Sequence, residues 1–289
     1  RVGALVKVER TRQPTIGTFH ALGLRILRAH IDRLGYSRSF TIMDMGDQHT
    51  LLRRIVADLG LDAKRYSPGA MSSYISRCKT ELSEPSAVKP PSGYERAAAS
   101  VYELYQERLS SMNAVDFGDL VMLSVKLLTQ YPEITAQYRA QWQYVLVDEY
   151  QDTSRDQYRF MRLLADGHRN LFCIGDDAQS IYQFRQADIR NILNFQKDYP
   201  DATVIMLEQN YRSTKTILAA AQAIISKNKS QIPKELWTDN DEGNTIRVIE
   251  TTGERHEGTV VVELLRAMIK EGRPRSGCAV LYRTHAQSR

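Results

Sequence analysis

QYVLVDEYQDT, residues 143–153, begins as a compact apolar run and ends in paired carboxylates. Its apolar positions are continuous rather than alternating, which predicts a strand covered on both faces of a parallel sheet. Two further runs share the pattern, residues 171–175 (LFCIG) and 203–207 (TVIML), and a fourth candidate strand is 278–282 (CAVLY). Helical spacing fills the gaps. Residues 156–164 set Tyr158, Met161 and Leu164 on one face, and residues 189–195 set Ile189, Ile192, Leu193 and Phe195 together. Strand, helix, strand, helix, strand is a βαβ core, so the expected class is α/β.

Ahead of this core the chain reads as nearly all helix. Thr18 is suited to cap a helix running to about Leu34, and Asp47 to cap residues 48–59, which Gly60 would end. Ser67-Pro68 opens another helix, since proline is tolerated at the first helical position. Residues 83–93 (SEPSAVKPPSG) read as a loop, followed by a helix to about Ser111 with Val101, Leu104, Tyr105 and Leu109 on one side.

Composition bounds the function. The 289 residues are 42% hydrophobic and 25% charged, ordinary globular values that exclude a disordered or fibrous chain. No apolar run reaches the ~18–20 residues of a membrane span, and the N-terminal RVGALVKVER lacks the apolar core of a secretory signal. Cys78, Cys173 and Cys278 lie far apart, without a CxxC pair, and read as reduced cytosolic thiols rather than a zinc set. Net charge is +5, concentrated in residues 1–40, where Arg1, Lys7, Arg10, Arg12, Arg25, Arg28, Arg33 and Arg38 face only Glu9 and Asp32. Such a block attracts phosphate backbones, and equally serves as a solvated helix face.

The chemistry sits where the strands end. Parallel strands deliver their C-terminal residues to the ligand crevice. There Asp148 is placed to hold a hydrated Mg²⁺, and Glu149 to orient and deprotonate a water attacking a phosphate. An acid pair in this position also serves simply to start the next helix. The next strand runs into GDDAQSIYQFRQA, residues 175–187, placing acidic and amide groups at the same sheet edge, and Gln179 is suited to bond a terminal phosphate or the attacking water. Tyr182, Phe184 and Arg185 are the aromatic and basic composition that stacks nucleobases and holds phosphates, unless the two rings belong to the core. The third run leads to LEQNYRST, residues 207–214, where Arg212, expected at a helix start, is a candidate arginine finger.

VDEYQDT, GDDAQSIYQFRQA, LEQNYRST and GTFHALGLRILR (residues 17–28) together resemble the motifs of the UvrD/PcrA/Rep group of superfamily 1 DNA helicases, in order and spacing through essentially the whole chain. The resemblance implies a RecA-like parallel-sheet P-loop NTPase core with an α-helical inserted subdomain and the start of a second RecA-like domain. It places the first RecA-like domain at 1–21 and 113–207, the helical insertion at 22–112, and the second domain from 208 to 289. It implies a 3′→5′ translocase driven by ATP and Mg²⁺ on single-stranded DNA and at single-strand/duplex junctions, cytoplasmic and nucleoid-associated, with repair or replication proteins as partners. Carried over by motif, Asp148 serves Mg²⁺, Glu149 is the base, Gln179 senses the γ-phosphate, Tyr211 stacks on adenine and Arg212 is the finger. Thr18, Phe19, His20, Phe117 of VDFGDL, Tyr182, Phe184, Arg185 and Arg283 would contact DNA.

Two departures stand out. The family has Gly-Trp-Arg-Gly where this chain has Gln183-Phe184-Arg185-Gln186, so a smaller ring offers the stacking face, and His285 stands where the family commonly has Asn. None of the 16 glycines is followed by Lys, so GxxxxGK[ST] is missing. The family places that loop upstream of GTFH and its last motifs beyond LYRTHAQSR. The expectation is therefore an internal helicase segment that does not turn over ATP by itself. Alternatives are a non-catalytic single-strand-binding module and part of a helicase–nuclease subunit.

Overall fold

The computed structural model describes residues 14–88, 92–229 and 231–284. Arg1, Lys7, Arg10 and Arg12 of the basic block, and His285, lie outside the described residues. Two units divide the chain, Arg1–Ile205 with Asn228–Pro233, and Met206–Lys227 with Lys234–Arg289.

In the first unit the elements are α1 (Phe19–His30), β1 (Thr41–Ile42), α2 (Met45–Asp58), α3 (Pro68–Thr80), α4 (Gly93–Ser111), β2 (Ala114–Val115), α5 (Phe117–Gln130), α6 (Pro132–Gln141), β3 (Val145–Val147), α7 (Arg155–Ala165), β4 (Leu171–Cys173), α8 (Arg190–Leu193) and α9 (Phe195–Asp198). The second unit holds α10 (Lys215–Ile225) and α11 (Glu254–Lys270).

Local chemistry sets most boundaries. The Thr18 hydroxyl accepts the Ala21 N–H and starts α1, which tightens into a 3-10 turn at Ile31–Leu34 and stops at Gly35, φ +87°. Ser67 caps α3 with Pro68 at its first position. The cap of α2 is Asp44 rather than the expected Asp47: the Asp44 carboxylate accepts the Asp47 N–H, so the later acid sits in the first turn. Helix 189–195 is two short turns, α8 and α9, broken at Asn194.

Helix α5 is apolar nearly all round and is buried on nearly all sides, with Leu120, Val121, Leu123, Val125, Leu127 and Leu128 at the centre of the main core. Helix α1 approaches it closely because Gly23 has no side chain: a Cβ there would lie 2.3 Å from the Leu120 carbonyl oxygen. A second apolar cluster joins α2, α3 and α4 around Ile55, Met71, Val101 and Tyr102. This block leaves the chain after β1 and returns at β2, and those two strands pair in parallel, Thr41 with Ala114 and Ile42 with Val115. Its ends therefore lie side by side.

Strands β3 and β4 pair in parallel, Val145 with Leu171, Leu146 with Phe172 and Val147 with Cys173. Here the structure corrects the reading of continuous apolar runs. Val147 is buried over Tyr150 and Met161, but Leu146 is 72% and Phe172 54% exposed. Helices cover one face of this two-stranded ribbon, and nothing among the described residues covers the other. Residues 203–207 and 278–282 are not strands, because a strand needs a neighbour to complete its ladder and neither finds one among the described residues. In the second unit Leu218 and Thr238 are the buried residues among those described. No helix among the described residues is long and apolar enough to cross a membrane.

Candidate nucleotide site and nucleic-acid interface

The tip of β3 turns on one residue. Glu149 adopts a left-handed backbone, φ +51° and ψ +44°, a conformation that costs a non-glycine residue free energy and persists where surrounding contacts hold it. The contacts are at hand. Tyr150 is buried at 1% exposure, with its ring edge-on to Phe195, and its N–H donates to the Ile174 carbonyl at 2.9 Å. Thr153 is fixed by Asn191, whose side-chain amide donates to the Thr153 carbonyl and hydroxyl at 3.0 and 3.1 Å. Asp148 and Glu149 are left exposed at the strand end.

Between them and the tip of β4 lies Gln151, 1% exposed. Its amide nitrogen donates to Glu149 Oε2 at 2.8 Å, and its Oε1 accepts the Asp176 N–H at 3.0 Å. The Asp176 carboxylate in turn accepts from Gln179 Nε2 at 2.7 Å and from the Ala178 N–H at 3.0 Å. Thus Glu149 and Gln179 are brought onto one hydrogen-bonded path across two strand ends. Asp152, half-buried beside them, is pushed up from the usual carboxylate range by burial and by the charge of Glu149.

Asp148 suits a hydrated divalent cation. One of its oxygens accepts the Glu149 N–H at 3.0 Å and the carboxylate is exposed. Mg²⁺ keeps several waters and takes one or two carboxylates plus phosphate oxygens. No cluster of three or more His, Cys, Asp or Glu side chains disposed to hold a metal occurs among the described residues, so a cation here would depend on the phosphates.

The aromatic group that follows is on the surface, which removes the core alternative. Tyr182 is 36% and Phe184 72% exposed, their rings 5.9 Å apart, and the Arg185 guanidinium lies 5.0 Å from the Tyr182 ring and 5.5 Å from that of Phe184. Gln186, in a left-handed conformation, ties this turn to α3 through a 3.0 Å bond to the Ser76 hydroxyl. A second aromatic pair sets His20 edge-on to the half-exposed Phe117, ring centres 6.2 Å apart, and burial pushes the His20 imidazole below its ordinary value. Phe19 instead packs against the core, 6.3 Å from Phe160, and the Thr18 hydroxyl is engaged as the α1 cap.

In the second unit Arg212 is not at a helix start. Asn210 Oδ1 accepts the N–H groups of both Arg212 and Ser213, a side-chain turn that delays α10 to Lys215 behind its cap Thr214. Tyr211 is 78% exposed and donates its hydroxyl to Gln209 Oε1. Arg283 lies in an exposed non-helical stretch. Part of the basic block is structural: Arg28 lies 3.8 Å from the Phe40 ring centre and donates to the Arg38 and Phe40 carbonyls, and Arg38 pairs with Asp32 at 2.9 Å.

Sequence reading passed over Gln151 and one buried charge cluster. Lys79, 1% exposed, bonds Asp116 at 2.7 Å and Asp119 at 2.8 Å, directly beside Phe117. The D-x-x-D spacing of the α5 capping box was the available signal for the acids. Nothing in the sequence pointed to the lysine.

Residues 1–200 match the UvrD/REP helicase N-terminal domain and residues 205–289 the UvrD-like helicase C-terminal domain. Among curated relatives, the ATP-dependent DNA helicase PcrA of Bacillus subtilis (strain 168) is 45% identical over 277 residues, covering 95% of this chain and 38% of the relative. The protein of the same name from Leuconostoc citreum is 41% identical over 292 residues, covering 100% and 39%. That of Staphylococcus aureus (strain Mu50 / ATCC 700699) is 44% identical over 276 residues, covering 95% and 38%. The chain spans less than two-fifths of the length of these relatives.

Proposed function

The chain belongs to the UvrD/REP helicase family, and from that premise we propose that it is part of an ATP-dependent DNA helicase moving 3′→5′ on single-stranded DNA and acting at single-strand/duplex junctions in repair or replication. The observation that carries the reading is the path from Glu149 through Gln151 and Asp176 to Gln179, which joins a base and a phosphate-sensing amide at two parallel strand ends. The block α2–α4 is then the helical insertion of the first RecA-like domain.

Mg²⁺, when bound, supplies charge neutralisation at the phosphate oxygens. The chain's own residues do the rest. Asp148 holds the cation's water shell or the ion itself. Glu149 has one oxygen committed to Gln151, and its other oxygen takes a proton from water as that water's oxygen bonds to the γ-phosphorus and the bond to the leaving ADP oxygen breaks. Gln179 reports the presence of the γ-phosphate to the Tyr182–Arg185 turn that follows it in sequence. Tyr211 stacks on adenine and Arg212 offsets charge on the transferring group. In the first unit Thr18, His20, Phe117, Tyr182, Phe184 and Arg185 are the strand-binding residues, with Phe19 supporting them from the core side, and Arg283 is a separate DNA contact of the second unit; cycles of nucleotide binding shift which residues hold bases.

Glu149→Gln in the full-length protein is expected to lower DNA-stimulated ATP turnover ~10²–10⁴-fold while single-strand binding persists. Turnover at the wild-type rate removes Glu149 as the base. A non-catalytic single-strand-binding module is the second reading, favoured by the exposed Tyr182–Phe184–Arg185 group. It predicts salt-sensitive DNA affinity that a non-hydrolysable ATP analogue leaves unchanged.

A further inference from the structure

Gln151 has one geometry available to few side chains. An amide donates at one end and accepts at the other, and here both ends are used by a side chain that is itself buried. Nε2 donates to Glu149 Oε2 at 2.8 Å and reaches Asp152 Oδ2 at 3.5 Å, while Oε1 accepts the Asp176 N–H at 3.0 Å. The Gln151 carbonyl accepts from the Ser180 hydroxyl at 3.3 Å. Gly175 makes room for this arrangement, since a Cβ there would stand 2.8 Å from Gln151 Oε1 and 2.8 Å from Ile192 Cδ1. Leucine in place of Gln151 could neither donate nor accept, and glutamate could not donate when ionised.

We infer that Gln151 is the positioning residue for the proposed catalytic base, fixing the rotamer of Glu149 and setting the β3 tip in register with the loop that carries Gln179. This rests on the reading of Glu149 as base. Because the amide only donates to it, Oε2 of Glu149 is held as an acceptor and Oε1 is the oxygen left to face water. Because the same amide accepts from Asp176, a shift of the Gln179 loop is passed to Glu149 by a single rigid side chain buried between them. The base is thereby aligned when the γ-phosphate sensor is in place.

The test uses the full-length protein with Gln151→Met, Gln151→Glu and, beside them, Glu149→Gln. Gln151→Met is expected to lower kcat for DNA-stimulated ATP hydrolysis on the order of 10–100-fold with KM for ATP within about twofold, the pattern of a misaligned group that does not touch ground-state substrate. Gln151→Glu sets a second carboxylate against Glu149, with Asp148, Asp152 and Asp176 unchanged around them. The ionised side chain can no longer donate to Glu149 Oε2, so kcat is expected to fall as in Gln151→Met, with KM for ATP again within about twofold. A glutamine that only supports the fold would lower stability without producing that split between kcat and KM. Wild-type kcat in either variant, or a KM that rises as far as kcat falls, overturns the assignment. If Gln151→Met does not fold, Gln151→Glu decides alone, as it keeps the side-chain volume and the acceptor for the Asp176 N–H. Should Glu149→Gln keep full turnover, the base reading falls and this role falls with it; should it abolish turnover while both Gln151 outcomes fail, the positioning role alone is wrong.

Discussion

Two carboxylate clusters in the first unit are built on opposite principles. Asp116 and Asp119 are buried at 5% and 0% exposure, share the Lys79 ammonium, and take further bonds from Tyr105 and Gln106. Asp148 and Glu149 stand exposed at the tip of β3, and the side chain that organises Glu149 is a neutral amide. Burial and the adjacent Asp116 charge push Asp119 up; at Asp116 the same burial is outweighed by Lys79 and the hydrogen bonds, which hold it down. Perturbed titration would by itself make the buried triad an active-site candidate. Its donors and acceptors are directed at one another, however, so no oxygen is left for a substrate. A site that acts on a substrate needs an open lone pair, and the exposed pair at the strand end has one.

The largest effect that could break this contrast is at Lys79. Replacing it by Met leaves two buried carboxylates without their cation, which is expected to destabilise the first unit by about 3–5 kcal/mol. The shift of its unfolding midpoint in urea measures this. Glu149→Gln, at the exposed cluster, is expected to stay within about 0.5 kcal/mol of wild type in the same titration. A small effect at Lys79, or a large one at Glu149, would dissolve the distinction between a structural and a functional acid pair.

Asp156 sharpens the comparison, because it is a buried acid whose partners are a hydroxyl and a backbone amide rather than an ammonium. Burial raises it to about 6, against an ordinary value of 3.8, and the bonds from Ser154 and the Gln157 N–H offset only part of that. Between those two values the folded chain holds a proton that the unfolded chain releases. Stability therefore falls as pH rises from about 4 to 6 and is level above that range. Asp156→Asn abolishes this contribution, and the pH dependence of unfolding over that window should flatten by up to about 2–3 kcal/mol. An unchanged slope would show that the Asp156 charge is solvated in the folded state.

These residues also mark how far the sequence could be read. Thr18 and Ser67-Pro68 were legible as helix starts because a cap acts within three residues. The acids at the strand tips were legible because a strand's direction fixes what its end presents. Lys79 was not, since its partner Asp116 is 37 positions away and a lysine in a polar helix reads as solvated. Gln151 was not, since its acceptor end is satisfied 25 positions on. Continuous apolar character in residues 203–207 and 278–282 signals burial against a sheet but cannot supply the neighbouring strand, and in the structure neither segment is paired.

The exposed aromatic turn extends the contrast to binding. Phe184→Ala is expected to weaken single-stranded DNA binding by about 1–3 kcal/mol, the range of one base–aromatic stack. With Phe184 72% exposed, the effect on stability should be slight. Arg185→Ala should lower the salt dependence of the same affinity by about 0.7 in log–log slope, as one phosphate contact does on a single strand. Unchanged affinity in Phe184→Ala, measured by fluorescence anisotropy, would take this ring out of the interface and leave the exposed turn without a role.

The smallest effect separates two uses of one hydroxyl. Thr18 was expected on motif grounds to touch DNA, yet its Oγ1 accepts the Ala21 N–H at 3.2 Å as the cap of α1. A hydroxyl can do both, because it keeps a donor hydrogen and a second lone pair after accepting one bond. If capping is its whole role, Thr18→Ala costs about 1 kcal/mol of stability, Thr18→Asp restores it, and neither variant changes DNA affinity beyond what the altered helix start explains. If Thr18 also meets a phosphate, Thr18→Asp keeps the cap but sets a carboxylate against the backbone, so stability recovers while DNA affinity drops further. The aspartate variant therefore moves the two properties in opposite directions only when both uses are real.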